Sequence, residues 1–259
     1  IGHVDTVNIE HYPCKEGATT NIKILVIGAT GMLGEPVARQ LLADGHEVRI
    51  LSRQAEKAKK KFGAPFEIVF GDVAQPETLP AALAGCAGVH ISLAGGPTPA
   101  DYDRIEHQGT ANVAQAAAES GLQRITYLSG FSVDETNRHH HYATNAKFLA
   151  ETAVKTSGVP YTIFRSTWFM ESLPQFIQNG RALIIGKQKA PLHWVAAQDY
   201  AQMVSKAYQT PEAANKTFYI YGPEAMPMTE AVKKYRAAIQ PDTAVTYVPV
   251  WLMSLIATL

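Results

Sequence analysis

Three glycines, Gly28, Gly31 and Gly34, follow the apolar segment 23–27 at equal spacing and stand before a helix-forming segment, 35–42. The first can turn the chain off a strand, the second leaves room for a phosphate, and the third lets a helix pack closely on a sheet. The N–H groups and dipole of the helix then attract the anion. The spacing predicts a pyrophosphate-binding loop, and a tight turn that binds nothing is the alternative. The other residues of this predicted loop are Thr30, Met32 and Leu33.

The residues after the second apolar segment, 47–51, indicate which dinucleotide is bound. Ser52 and Arg53 stand where an acidic residue would bind the adenosine ribose and repel a 2′-phosphate, and Lys57 follows about one turn later. Arginine grips a phosphate with two hydrogen bonds, and serine adds a hydroxyl donor. The pair therefore favours NADPH over NADH. The alternative is that Arg53 and Lys57 belong to a solvated basic helix, since 56–61 is rich in lysine.

Two further loops are expected to complete the cofactor site. Asp72 and Val73 follow the third apolar segment, 66–70, and could flank the adenine, with the carboxylate accepting from its exocyclic amine. An aspartate that caps the next helix is the alternative. The fourth apolar segment is followed by a flexible stretch. The candidate cofactor residues in that stretch are Leu93, Ala94 and Gly95.

Apolar strand-like segments alternate with helical periodicity over the first part of the chain. The predicted strands are 23–27, 47–51, 66–70, 87–93, 124–129 and 159–165. The predicted helices are 32–43, 54–62, 76–84, 101–120 and 143–157. This alternation predicts an α/β fold, a Rossmann-type doubly wound parallel sheet with helices on both faces. Ligands of such sheets bind beyond the carboxyl ends of the strands, which is where the candidate residues stand.

The pattern changes after residue 166. Residues 1–22 lack periodicity and are predicted to be an N-terminal arm or extension, and 23–166 are predicted to form the NAD(P)-binding Rossmann domain. Shorter elements follow, at 182–185, 198–209, 217–221 and 229–239. We therefore expect 167–259 to form a small C-terminal α+β substrate lobe, interleaved with the first domain.

Two segments carry a resemblance to a known family. Gly28-Ala29-Thr30-Gly31-Met32-Leu33-Gly34 resembles the glycine motif of the atypical and extended short-chain dehydrogenase/reductases. Residues 147–165, Lys-Phe-Leu-Ala-Glu-Thr-Ala-Val-Lys-Thr-Ser-Gly-Val-Pro-Tyr-Thr-Ile-Phe-Arg, are similar to the NmrA-like and isoflavone-reductase-like branch of NAD(P)-binding proteins. In that branch a lysine begins a helix and a Gly-Val-Pro-Tyr-Thr segment enters the sixth strand. The similarity extends from residue 23 to about residue 250.

The resemblance assigns catalytic candidates. It makes Lys147 a ribose ligand or proton-transfer group, and Ser129 matches the position of the superfamily's serine. The classical members of that superfamily add a tyrosine four residues before the lysine as proton donor, but position 143 is alanine. Tyr142 stands five residues before Lys147, which turns the two side chains about 140° apart on a regular helix. Tyr142 is a donor only if the helix begins after it. A surface lysine and an ordinary loop tyrosine are the alternatives.

The amino-acid composition limits the classes of partner and compartment that are expected. Lys and Arg number 23, as do Asp and Glu, so the chain gives no support for nucleic acid as a partner. The two cysteines fit no metal or redox spacing, which favours a reducing, cytoplasmic compartment. No apolar run approaches the roughly 18 residues of a membrane span. Adjacent loop histidines 139–141 cannot easily face one ion, so no metal is expected.

These features predict an NADPH-binding reductase that transfers hydride to a small apolar or aromatic acceptor, such as a quinone or enone. Trp168, Phe169 and Met170 could form an apolar wall for it, and packing between lobes is the alternative. The missing tyrosine favours a second hypothesis, a non-catalytic NAD(P)H-binding redox sensor, regulator or assembly factor. The expected partners are a small-molecule substrate, a second copy in a homodimer, or another protein in the regulatory case.

Overall fold

The computed structural model of the protein describes residues 21–250, except 179, 187–189, 240 and 243. The predicted N-terminal arm, apart from residues 21 and 22, lies outside the described residues, as do 251–259 of the predicted C-terminal lobe.

The described chain contains thirteen strands and eight α-helices. The strands are β1 (Lys23–Ile27), β2 (Glu47–Ser52), β3 (Glu67–Phe70), β4 (Gly88–Ile91), β5 (Arg124–Gly130), β6 (Tyr161–Ser166), β7 (Trp168–Phe169), β8 (Ile177–Gln178), β9 (Arg181–Ile185), β10 (Leu192–Val195), β11 (Lys216–Ile220), β12 (Ala225–Met226) and β13 (Ala244–Val248). The helices are α1 (Gly34–Ala43), α2 (Ala55–Phe62), α3 (Leu79–Leu83), α4 (Pro99–Asp101), α5 (Gly109–Glu119), α6 (Tyr142–Thr156), α7 (Ala197–Gln209) and α8 (Met228–Ile239).

Seven strands form a parallel sheet in the order β11-β6-β5-β4-β1-β2-β3. The chain runs outward from β1 through β2 to β3 and then returns to β4 on the other side of β1. Strand β1 is buried on both faces, with Ile24, Leu25 and Val26 fully covered, as in sheets that carry helices on both sides. The carboxyl ends of β1 and β4 therefore flank the switch point, where ligands of this fold bind.

The described chain divides into two units. The first unit comprises the described residues up to Ser166 together with Gln198–Ile220, and the second comprises Thr167–Ala197 and the described residues from Tyr221 onward. Strand β11 belongs to the first unit, because it pairs in parallel with β6 and extends the main sheet. Periodicity predicts that 217–221 is a strand but does not reveal its partner.

The second unit is built around two three-stranded sheets, β12-β10-β7 and β13-β9-β8. Its core packs Leu173, Trp194, Met226 and Val232. Helix α8 contributes Met228, Ala231 and Val232 to this core.

Two helices differ from their predicted form. Helix α1 begins at Gly34 rather than at residue 32, so Met32 and Leu33 lie in the loop before it. The helix predicted over 101–120 contains a π-helical segment, Tyr102–Gln108, between α4 and α5. A π-turn adds a residue to the helical repeat, and such turns are frequent at functional sites.

A buried polar cluster lies within the first unit. The His90 ring is fully buried; its Nδ1 lies 2.8 Å from Thr126 Oγ1 and its Nε2 3.4 Å from the Tyr200 hydroxyl. Burial lowers the pKa of His90 from 6.5 to about 3. The folded protein therefore holds this ring neutral.

The buried ring predicts a loss of stability on acidification. The unfolded chain binds a proton at His90 as the pH falls through 6.5, whereas the folded chain does not until about pH 3. Stability should therefore fall by up to about 1.4 kcal/mol per pH unit from His90 alone between about pH 6 and pH 4.5. Urea unfolding at several pH values measures this slope.

His90→Gln should unfold with a shallower pH dependence than the parent chain in that window. His139→Gln is the matched control, because its side chain is exposed and should leave the slope unchanged. Equal slopes for His90→Gln and the parent chain would contradict the assignment.

Candidate dinucleotide-binding site

A cavity of about 470 Å³ opens at the carboxyl edge of the main sheet, within the first unit. Its walls come from the loops after β1, β2, β3 and β4, from Lys57 and Lys61 of α2, and from Ile105 of the π-helical segment. The predicted cofactor residues in these walls are Gly28, Thr30, Gly31, Ser52, Arg53, Asp72, Val73, Leu93, Ala94 and Gly95. The predicted cofactor residues outside them are Met32, Leu33, Gly34 and Lys147. The structure thus brings together loops that are up to about 70 residues apart in the chain.

Two of the three glycines are required by backbone contacts. Gly28 has φ +85°, and a Cβ there would run into the carbonyl oxygen of Ser92. A Cβ on Gly34 would lie 2.6 Å from the carbonyl carbon of Gly28 and collide with its oxygen. Helix α1 can therefore begin directly against the end of β1.

Gly31 differs from the other two glycines. Its N–H donates to Gly28 O at 3.0 Å and is not free for an anion. A Cβ there would meet only that oxygen, at 3.2 Å, so the surface above Gly31 is open. This open backbone beside the first turn of α1 fits a pyrophosphate.

Three cationic side chains of the 53–61 segment border the cavity. Arg53 and Lys57 are exposed and have no ion-pair partner within the described part of the chain. Lys61 is engaged, because its Nζ lies 2.5 Å from Glu35 Oε2 and donates to Thr30 O at 3.0 Å. The Lys61 ammonium is the main cause that lowers the pKa of Glu35. Two of the three cations are therefore available to a phosphate.

The side chains of Ser52 and Asp72 have local roles in addition to their place in the cavity wall. Ser52 is buried, and its Oγ accepts from Gln54 N at 3.1 Å. Asp72 Oδ1 accepts from Ala74 N at 3.0 Å, and the Asp72 N–H donates to Thr78 Oγ1 at 3.1 Å. Asp72 thus orders the turn before the next helix while it faces the cavity, so both sequence interpretations of it stay open.

Lys147 lies in a defined setting and is not a solvated surface lysine. Its Nζ donates to Glu106 Oε1 at 2.9 Å and to Leu128 O at 3.3 Å. The ammonium also stands 5.5 Å from the centre of the Tyr127 ring. Sequence reasoning missed Glu106. Gly109 and Val113 follow it by three and seven residues, so all three share one helix face, and the burial of Gly109 and Val113 places the Glu106 carboxylate on the buried face.

The other two catalytic candidates, Tyr142 and Ser129, have other partners in the structure. Tyr142 is the first residue of α6, so the condition that the helix begins after it is not met, and its ring packs on Tyr102 and His141. Ser129 is buried and donates to Glu151 Oε1 at 2.7 Å, so its hydroxyl proton is already committed. Neither residue lines the cavity.

Among the described residues, no group of three His, Cys, Asp or Glu side chains is arranged to hold a metal ion. Of the three loop histidines, His141 caps α6 by accepting from Ala143 N. None of the helices in the described ranges combines the length and apolarity that a bilayer crossing requires.

The sheet order, the glycine contacts and the cavity at the switch point define a Rossmann-type dinucleotide-binding protein. Within that class, residues 20–256 match the model of the NmrA-like family, and the chain belongs to this family. The family expectation from the sequence is thereby confirmed.

Known relatives include both enzymes and an assembly factor. The chain is 27% identical over 243 residues to the photosystem II assembly factor Ycf39 of Trieres chinensis, covering 91% of this chain and 75% of that protein. It is 31% identical over 210 residues to (4-alkanoyl-5-oxo-2,5-dihydrofuran-3-yl)methyl phosphate reductase of Streptomyces griseus, covering 80% and 70%.

Solved structures share the fold. The Citrobacter sp. triphenylmethane reductase complexed with NADP(H) superposes with a TM-score of 0.69 at 24% identity, covering 88% of this chain and 79% of that one. Other solved structures of this fold are complexes with NAD.

The glycine contacts predict different costs at two positions of positive φ. Gly28→Ala should destabilise the protein by about 3 kcal/mol or more, because the new methyl group overlaps a backbone carbonyl. Gly45→Ala is the matched control, since Gly45 has φ +90° but nothing within 4 Å of a Cβ. Gly45→Ala should lower the free energy of unfolding by only about 1–2 kcal/mol, because alanine is strained at positive φ. Equal losses in the free energy of unfolding would contradict the contact.

Proposed function

We propose that this protein is an NADPH-dependent reductase. In this proposal the pyrophosphate lies over Gly31 and the start of α1, and the 2′-phosphate of the adenosine lies between Arg53 and Lys57. The observation that carries it is the pair of exposed cations without ion-pair partners in the described residues, beside the cavity at the end of β2. A phosphate there gains charge-assisted hydrogen bonds without breaking a protein ion pair.

The adenine would lie near Asp72 and Val73. The Asp72 carboxylate can accept from the exocyclic amine through Oδ2, because Oδ1 accepts from Ala74 N. Lys61 would support the site indirectly, since its bonds to Thr30 O and Glu35 join α2 to the glycine loop.

When bound, NADPH supplies a hydride. Lys147 is the polar side chain best suited to hold the nicotinamide half, as the family resemblance implies. The chain brings no tyrosine beside Lys147 on α6, and Ser129 is committed to Glu151. The acceptor class should therefore be one that takes hydride without simultaneous protonation, such as a quinone or a cationic conjugated dye.

The second unit exposes large apolar side chains. Trp168 and Met170 are 46% and 41% exposed, whereas Phe169 is buried. Exposed large apolar side chains of this kind suit flat aromatic molecules. Of the similar proteins, the triphenylmethane reductase supports a cationic dye as the acceptor.

A second candidate function is NADPH binding without turnover, as in a redox sensor or assembly factor. The specific observation in its favour is that the side chains expected to move a proton are engaged elsewhere, with Lys147 on Glu106 and Ser129 on Glu151. The similarity to Ycf39 over most of the chain supports this reading as well.

Arg53→Ala should weaken NADPH binding by about 10- to 100-fold, the worth of a hydrogen bond to a charged group. NADH lacks the 2′-phosphate, so its affinity should change little. Isothermal titration of both nucleotides measures the difference. Lys60→Ala is the matched control, because Lys60 is an exposed cation on the following helix, α2, but lies outside the cavity wall. An equal loss for both nucleotides would contradict the phosphate site.

Steady-state oxidation of NADPH separates the two functions. We expect turnover with a quinone and with a cationic triarylmethane dye, and rates at least about 100-fold lower with simple ketones, which need a general acid. Tight NADPH binding without oxidation by any acceptor would favour the sensor instead.

A further inference from the structure

Glu106 is a fully buried carboxylate that the proposed function does not use. It lies in the π-helical segment Tyr102–Gln108, where the buried row of the helix continues with Gly109, Thr110 and Val113. Small or apolar residues suit such a row, and a carboxylate there loses its hydration. Its presence therefore calls for a physical reason.

The two carboxylate oxygens of Glu106 differ in their hydrogen bonds. Oε1 accepts from Lys147 Nζ at 2.9 Å and from the Tyr127 hydroxyl at 2.7 Å. Oε2 is buried without a hydrogen-bond partner among the described residues, and the same holds for the Thr110 hydroxyl. A buried ion pair with an unsatisfied oxygen is a poor source of stability. The arrangement is better suited to fixing the direction of Lys147.

The Lys147 ammonium has one donor left. An ammonium carries three N–H groups, and two of them are directed at Glu106 Oε1 and Leu128 O. The carboxylate also neutralises the lysine, so Lys147 acts as an aimed hydrogen-bond donor rather than as a free cation. The direction of its third N–H is set by the other two hydrogen bonds.

This donor lies on the side of β1 opposite to Arg53. Arg53 follows β2, whereas Leu128 belongs to β5, two strands away from β1 on the other side. The neighbourhood of Glu106 also reaches the cavity at that side, because Ile105 and Gly95 line it and the Tyr102 ring packs on Gly95. A dinucleotide laid across the switch point has its adenosine at one side and its nicotinamide at the other.

We infer that Glu106 is a positioning residue, which aims the remaining N–H of Lys147 at the ribose of the nicotinamide half. This inference rests on the proposed function, since it needs NADPH in the cavity. Glu106 itself touches no part of the cofactor and acts through Lys147.

The test compares two ligands that share the adenosine half. Glu106→Gln should weaken NADPH by about tenfold, because Lys147 loses its charged partner and its direction. The affinity for 2′,5′-ADP, which has no nicotinamide ribose, should stay within about twofold. Lys147→Met should likewise weaken the binding of NADPH but not that of 2′,5′-ADP. Adding Glu106→Gln to Lys147→Met should weaken NADPH binding no further. This second variant keeps the test valid if Glu106→Gln folds poorly.

Glu151→Gln is the control for a purely structural effect. Glu151 is another buried carboxylate with cationic partners, Lys155 and Arg165, and lies outside the cavity wall. Its variant should lower the melting temperature without changing the ratio of the two affinities. Equal weakening of NADPH and 2′,5′-ADP by Glu106→Gln, or no weakening of either, would overturn the inference alone. Failure of the parent chain to bind either ligand would overturn the proposed function as well.

Discussion

The rest of the structure depends on one backbone contact at the end of β1. Gly28 lies against the carbonyl of Ser92, and Gly34 lies against the carbonyl of Gly28, so three chain segments meet with no side chain between them. This approach sets the start of α1 directly over the switch point between β1 and β4. The cavity, the open backbone at Gly31 and the direction of the helix dipole all follow from that position.

Charge then gives the two sides of the cavity different characters. On the β2 side, Arg53 and Lys57 are exposed and carry charge that no described carboxylate neutralises. On the β4 and β5 side, Lys147 lies outside the cavity wall and its ammonium is paired with the Glu106 carboxylate. An exposed cation attracts a phosphate dianion such as the 2′-phosphate of NADPH. A hydrogen-bond donor with a fixed direction instead binds a hydroxyl group at one position, such as a ribose hydroxyl. This contrast underlies the proposal that NADPH is bound, because the two sides suit different halves of that dinucleotide.

The sequence predicted the parts of this arrangement that depend on local signals. The strands leading to Gly28 and Ser52 are short apolar runs, and Arg53 stands at a fixed offset from the glycine loop. Features that depend on tertiary contacts were not predicted. The pairing of β11 with β6 joins segments that are about 50 residues apart in the chain. The hydrogen bond from Ser129 to Glu151 forms only because α6 packs on β5. Glu106 was missed because a carboxylate is rarely buried, and its partners Lys147 and Tyr127 lie on other elements of the fold.

The central claim is that the cavity holds NADPH with its 2′-phosphate on the β2 side. A crystal structure of the complex with NADPH tests it most directly. The account predicts that a 2′-phosphate oxygen lies about 2.7–3.0 Å from the Arg53 guanidinium, with the pyrophosphate over Gly31. The result that would contradict it is a nucleotide whose 2′-phosphate points into solvent away from Arg53, or a cavity that stays empty at saturating NADPH.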